Sequence, residues 1–252
     1  MSRPSSLAAA TAAQAAMELR LTARRGENVL VTIVIPVVVL LFFATAGILP
    51  TAVQRPVDFL LPGALALAVI ATSLVNLGIA TAYERTYGVL KRLGGSPLTR
   101  GGLLAAKMGT VLVVEVAQVI LLIAIAVAVL GWTAGPGASP VVFVVSLLLG
   151  TAAFAGLGLL LAGALRAEAT LALANGLFIA FLLLGGIVIP VSHLPEPLAT
   201  LASWLPAAAL ADAFRVALGW GGAEVDLARA LAILAAWAVV TVGLTIRSFR
   251  WE

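Results

Sequence analysis

Apolar residues in this chain run almost unbroken for about twenty positions at a time, and polar residues come in short bursts between the runs. The runs cover roughly 29–49, 59–82, 103–130, 141–165, 170–189 and 227–246, six stretches in all. Each matches the ~20 residues a helix needs to cross a hydrocarbon core. None shows the period-2 alternation of a membrane strand, so helices are expected rather than a barrel. Pro36 falls inside the first run and would kink it, which is tolerated where neighbouring helices satisfy the backbone groups it frees.

Composition agrees. Hydrophobic residues make up 62% of the 252 positions and charged residues 10%, against roughly 25% charged in a soluble domain. No polar stretch is long enough to form a separate soluble domain. The chain is therefore read as an all-α integral membrane protein with one membrane domain, 29–252, preceded by an Ala-rich segment, 1–28. That first segment carries Gln14, Glu18 and an arginine cluster, which suits a helix lying on the membrane interface. A cleaved leader is the competing reading, weakened by the polar break at Gln14.

Charge sets the orientation. With the N-terminus inside, Arg3, Arg20, Arg24, Arg25, Arg85, Lys91, Arg92, Arg100, Lys107, Arg166, Arg247 and Arg250 all face the cytoplasm, 12 of the 15 basic residues. Only Arg55, Arg215 and Arg229 fall outside. The positive-inside bias thus expects a multi-pass protein of the cytoplasmic membrane with both termini inside. The net charge of +4 fits loops beside anionic lipid better than nucleic-acid binding. No cysteine is present, so disulfides and thiolate sites are excluded, and the single His193 lies in a loop without metal-ligand spacing around it.

One polar burst has an ordered pattern. Glu84, Arg85, Gly88, Leu90, Leu93, Ser96, Pro97, Leu98 and Arg100 follow the spacing E-R-x-x-G-x-L-x-x-L-x-x-S-P-L-x-R, and Lys107 opens the next run. Glu84 to Leu93 could form three helical turns, with Tyr87 and Leu90 on one side and Val89 and Leu93 beside them. Arg85, Lys91 and Arg92 supply charge, Gly94-Gly95 stops the helix, and Ser96-Pro97 forms an N-cap and N1 pair for the next one.

In these residues the chain resembles the permease subunits of type-2 ABC exporters, in the style of the daunorubicin-resistance group. A second set of residues agrees. Gly185-Gly186 precede Pro190, then come Leu194-Pro195, Leu205-Pro206 and Ala213-Phe214-Arg215, similar to the family's pattern for half-helices folding back into the outer leaflet. The segment from 197 to 218 is too apolar for a free loop and too broken by Pro206 for a crossing, and re-entry reconciles the two.

The resemblance implies six transmembrane helices, an N-terminal interfacial helix, a cytoplasmic coupling helix within 83–100, and re-entrant half-helices within 190–221 marked by Pro190, Pro195, Pro206 and Arg215. It implies that Glu84, Arg85, Tyr87, Gly88, Val89, Leu90, Lys91, Arg92 and Leu93 engage a separate ATP-binding subunit. A second permease copy or a paralogue would complete the pathway. ATP and Mg would sit on the partner, because this chain has no G-x-x-x-x-G-K-[ST] phosphate loop and no cofactor of its own.

Polar residues within the runs are the remaining candidates. Asn76, Glu115, Gln118 and Asn175 are the candidate pathway residues; for Asn76 and Asn175 hydrogen bonding between helices is the first reading, and Glu115 and Gln118 lie three apart on one helical face. A mid-span carboxylate costs about 2.5–3.5 kcal/mol on insertion scales, so Glu115 is expected to face protein or water. It would line the substrate route or pair with a cation; hydrogen bonding between helices is the plainer account. The expected function is export of drug-like, lipid or glycan molecules, with no chemistry done on them. An ATP-independent secondary transporter, which calls for paired mid-membrane charges and repeats, and a membrane enzyme, which calls for clustered catalytic groups, are the alternatives.

Overall fold

The computed structural model describes residues 7–24, 26–46, 55–95, 99–222 and 225–248, and all its regular structure is helical. In chain order the helices are α1 Leu7–Arg24, α2 Gly26–Ala46, α3 Pro56–Thr86, α4 Val89–Gly94, α5 Arg100–Leu130, α6 Pro140–Ala164, α7 Ala167–Leu184, α8 Glu196–Ala202, α9 Pro206–Ala217 and α10 Leu227–Ser248.

Five of them, α3, α5, α6, α7 and α10, are long and apolar enough to cross a membrane. The first expected span is α2, which is helical on both sides of Pro36 and whose apolar part is the shorter Thr32–Ala46. α3 and α5 are each 31 residues long, about 46 Å at 1.5 Å per residue. A hydrocarbon core is about 30 Å. Both helices therefore extend two to three turns beyond it, which is why Tyr83–Thr86 and Arg100–Lys107 can be polar without breaking either helix.

α3 is the centre of the molecule. Nearly every side chain from Val57 to Leu74 is buried, and the helix packs against α2, α5, α6, α7 and α9. Midway, at Ala71–Asn76, it widens into a single π turn, a local unwinding often found at functional positions. Close approach explains the small residues there. A Cβ on Gly158 of α6 would lie 2.7 Å from the Leu74 carbonyl oxygen and 2.9 Å from that of Ser73, and one on Gly78 would lie 3.0 Å from the Gly158 carbonyl oxygen.

The stretch after α7 bends at Gly185-Gly186, with Gly186 at a positive φ of 63°, and gives two short helices rather than a continuous crossing. α8 is partly exposed. α9 is buried along almost its whole length between α3, α6 and α10. Its N-terminus is set by Pro206 at the first helical position, where the missing N–H costs nothing.

Candidate functional site

The expected three-turn helix from Glu84 to Leu93 does not form. Glu84, Arg85 and Thr86 complete α3, the chain breaks at Tyr87-Gly88, and a separate six-residue α4 begins at Val89. The cause is Gly88, which sits in the left-handed region at φ 69°, ψ 15° and so redirects the backbone. Tyr87 and Leu90 consequently do not share a face. Tyr87 is 70% exposed, whereas Leu90 is fully buried with Leu77, Leu103, Leu104 and Leu159. Leu93 packs at the edge of the same cluster.

What remains outward is compact: Tyr87, Val89, Lys91 and Arg92 are exposed on and beside α4. Tyr87 also stacks on Tyr83, with ring centroids 6.1 Å apart. Arg85 is not part of this surface. Its guanidinium turns inward and donates to the carbonyls of Gly163 and, at 2.5 Å, Leu165, where it satisfies the acceptors left open at the end of α6 and complements the helix dipole. Glu84 is also turned inward, with its carboxylate 2.6 Å from the Lys107 ammonium. Ser96 and Pro97 lie outside the described residues; α5 is capped by Thr99, whose hydroxyl accepts from the Gly102 N–H at 3.1 Å.

The polar residues within the spans separate into two groups. Glu115 and Gln118 are buried and joined to α3 at its π turn. Ser73 donates to one Glu115 carboxyl oxygen, and Thr151 of α6 donates to the other at 2.5 Å. Thr72 donates to Gln118 Oε1 at 2.9 Å, while Gln118 Nε2 donates to the Thr32 carbonyl of α2 at 3.3 Å. Four helices thus share one polar belt, which spares each of these groups the cost of an unmet hydrogen bond in an apolar interior. Asn76 is half-buried in a small cleft beside it, with Glu18, Thr72, Lys107 and Thr110. Asn175 is not brought to the belt; it is exposed on α7 and donates back to Leu171 at 2.9 Å.

Two features go beyond what the sequence assigned. An apolar cavity of about 320 Å³ opens between α5, α6 and α10, lined by Leu104, Met108, Gly156, Leu159, Val242 and Ile246 among others. Arg215, expected only as a motif position, is 6% exposed and organises the bend after α7. It donates to the Gly186 carbonyl and to Asp212 at 2.7 Å, and its guanidinium lies 4.1 Å over the Phe59 ring of α3. Burial holds the Asp212 carboxyl above the ordinary carboxylate range, while Arg215 beside it pulls the other way. Pro190 and Pro195 flank the short turn Val191–His193 that leads into α8, and His193 is exposed there.

A bundle of long apolar helices with a short basic helix between the two longest is the architecture of a multi-pass membrane protein. The sequence profile of the ABC-2 type transporter family matches residues 11–218. The chain belongs to that family, and is a membrane permease of the ABC transporter class. Comparison with curated proteins finds no match.

Proposed function

We propose that this chain is the transmembrane subunit of an ATP-driven exporter of the daunorubicin-resistance style, with six spans, both termini cytoplasmic, and hydrolysis carried out on a separate ATP-binding subunit. The observation that carries the reading is the build of α4. It is anchored by buried Leu90 yet leaves Tyr87, Val89, Lys91 and Arg92 exposed, directly between the inner ends of α3 and α5. An aromatic residue flanked by cations on an anchored short helix is the composition of a docking surface, since Tyr and Arg are enriched at interface centres.

In this reading the ATP-binding subunit grips α4 and moves it when nucleotide binds. α3 and α5 tilt with it, and the polar belt at Glu115 and Gln118 lies where those two helices cross. A second copy or a paralogue pairs along apolar faces such as Val113, Val116 and Ile120 of α5, all exposed in the single chain. The 190–221 segment re-enters the outer leaflet, with α9 as its buried half-helix. The apolar cavity between α5, α6 and α10 favours lipid-like or amphipathic drug-like cargo over glycans.

Co-purification from membranes tests the reading, using the wild-type chain and a Tyr87→Ala, Arg92→Glu variant. Both positions are exposed, so the variant should fold as wild type. An ATP-binding subunit is expected with the wild type and should be lost from the variant. Equal recovery of that subunit, with unchanged ATP hydrolysis, overturns the assignment of α4.

A further inference from the structure

Lys107 is the most deeply buried cation among the described residues at the α4 end of the molecule, with a side chain 1% exposed. It has two carboxylate partners from different parts of the chain. Its ammonium lies 2.9 Å from Glu18 of α1 and 2.6 Å from Glu84 in the last turn of α3, positions 89 and 23 residues away. Both carboxylates are themselves 13% exposed. Neighbouring contacts fix this geometry. Gln14 donates to Glu18 at 3.0 Å, and Thr110, one turn beyond Lys107, reaches the Ala15 carbonyl at 3.2 Å. α1 therefore lies along α5 through polar contacts at two successive levels.

Glu84 comes three residues before Tyr87, so whatever moves α4 acts first on the turn that holds it. Drawing the ammonium away from its carboxylates would leave buried charge unmatched, which makes the joint stiff to separation. We infer that Lys107 is a positioning residue of the transport cycle: it clamps α1, the end of α3 and the start of α5 into one rigid block, so that α1 travels with α4 and displacement of α4 reaches α5 through the ion pairs. This rests on the reading of α4 as the docking element. The polypeptide link from α4 to α5 alone would pull only on the first turn of α5. The clamp applies force two turns further in, beside the buried belt.

The absence of cysteine from the sequence makes a clean test possible. Ala15→Cys with Thr110→Cys places a thiol pair across α1 and α5. In the full complex with the ATP-binding subunit, the rate of disulfide formation is measured nucleotide-free and with ATP trapped by vanadate. With Lys107 intact the two rates should agree within about twofold, because the block does not open. With Lys107→Met the trapped state should cross-link at least about fivefold more slowly, and Lys107→Arg, which keeps the charge, should restore state-independence.

A fall in the trapped state with Lys107 intact shows that α1 leaves α5, and overturns the clamp. So does state-independence in Lys107→Met. Should Lys107→Met fail to reach the membrane, Glu18→Gln is measured, which removes the α1 arm while leaving the α3–α5 pair; it should reproduce the state-dependence, and identical rates overturn the proposal. If wild type assembles with no ATP-binding subunit, the docking reading falls and takes the clamp with it. Assembly with unaltered cross-linking in the variants sinks the clamp alone.

Discussion

The two ends of the molecule are held together by different physics. At the α4 end a buried ion cluster ties elements together: Lys107 joins Glu18 and Glu84, Arg85 holds the last carbonyls of α6, and a two-residue break separates a short helix from the long one before it. At the opposite end, side chains and glycines hold backbone. Arg215 pins the Gly186 carbonyl, Trp220 donates to Thr133 at 3.1 Å, Trp237 to Trp204 at 3.0 Å, and Arg55 to Gly131 at 2.5 Å. Gly135 and Gly219 approach so closely that neither has room for a Cβ, and the Gly135 and Ser139 N–H groups bond Leu218 and Ala217. Backbone contacts of this kind fix shape and leave little travel. Charge pairs at the ends of protruding helices fix which elements move together. On the proposed function, the contrast puts motion at the α4 end and rigidity at the other.

The largest effect should come from attacking the rigid end at Arg215, its one buried cation among the described residues. Arg215→Ala leaves the Gly186 carbonyl without its donor and Asp212 without its partner, and empties the space over Phe59. Leaving a buried carbonyl without its donor costs about 1–3 kcal/mol, the lost contacts with Asp212 and Phe59 add to it, and the bend that seats α9 loses its pin as well. Thermal melting of the purified chain should show a marked fall in midpoint. Arg215→Lys should recover little, since an ammonium lacks the planar fork that serves the carbonyl, the carboxylate and the ring together. A midpoint within error of wild type would mean that apolar burial of α9 is sufficient without Arg215.

A smaller loss is expected between the ends, at the crossing of α3 and α6. Gly158→Val places atoms against the carbonyls of Leu74 and Ser73, and backbone cannot turn aside as a side chain can. Overpacking of this kind costs about 1–3 kcal/mol. Because the contact lies at the π turn, the helices should part and loosen the Ser73 bond to Glu115. The check is again the melting midpoint, with Gly243→Val of α10, where nothing lies within 4 Å of a new Cβ, as the control. Equal midpoints for the two variants would show that the crossing has slack.

Much of this was legible in the sequence, because lipid forces a simple code. Continuous apolar runs located α2, α3, α5, α6, α7 and α10 to within a few residues, and the Pro and Gly spacing after α7 anticipated two short helices. What stayed hidden depends on groups meeting across the chain. Lys107 read as an ordinary basic residue at the mouth of a span because its partners are 89 and 23 positions away. Arg85 read as surface charge because its acceptors are carbonyls, which every residue has. The π turn at Ala71–Asn76 leaves hydrophobic periodicity nearly intact, and its one local sign was the polar run of Thr72, Ser73 and Asn76. Gly88 misled in another way. Its neighbours fit a helix on either side, and periodicity does not register a single residue in the left-handed region.

That residue gives the mildest and most selective test of the contrast between the ends. A Cβ at Gly88 meets nothing within 4 Å, so Gly88→Ala suffers only the left-handed backbone penalty, about 1 kcal/mol for an L-residue. Global melting should hardly change, because the strain lies at the end of α3 and outside the packed core. The penalty instead favours continuing α3 through 88, which would swing Leu90 out of its cluster and turn Tyr87 and Arg92 away from their present positions. Since 1.4 kcal/mol is tenfold in an equilibrium, affinity for the ATP-binding subunit should fall roughly fivefold. Gly88→Asn should lose less, because asparagine tolerates this region through local hydrogen bonding. Reduced affinity at constant melting temperature, with Asn between Gly and Ala, would place the function of this position in aiming α4. Equal affinity for all three would show that the surface is set by the Leu90 anchor, with the break at 88 merely accommodating it.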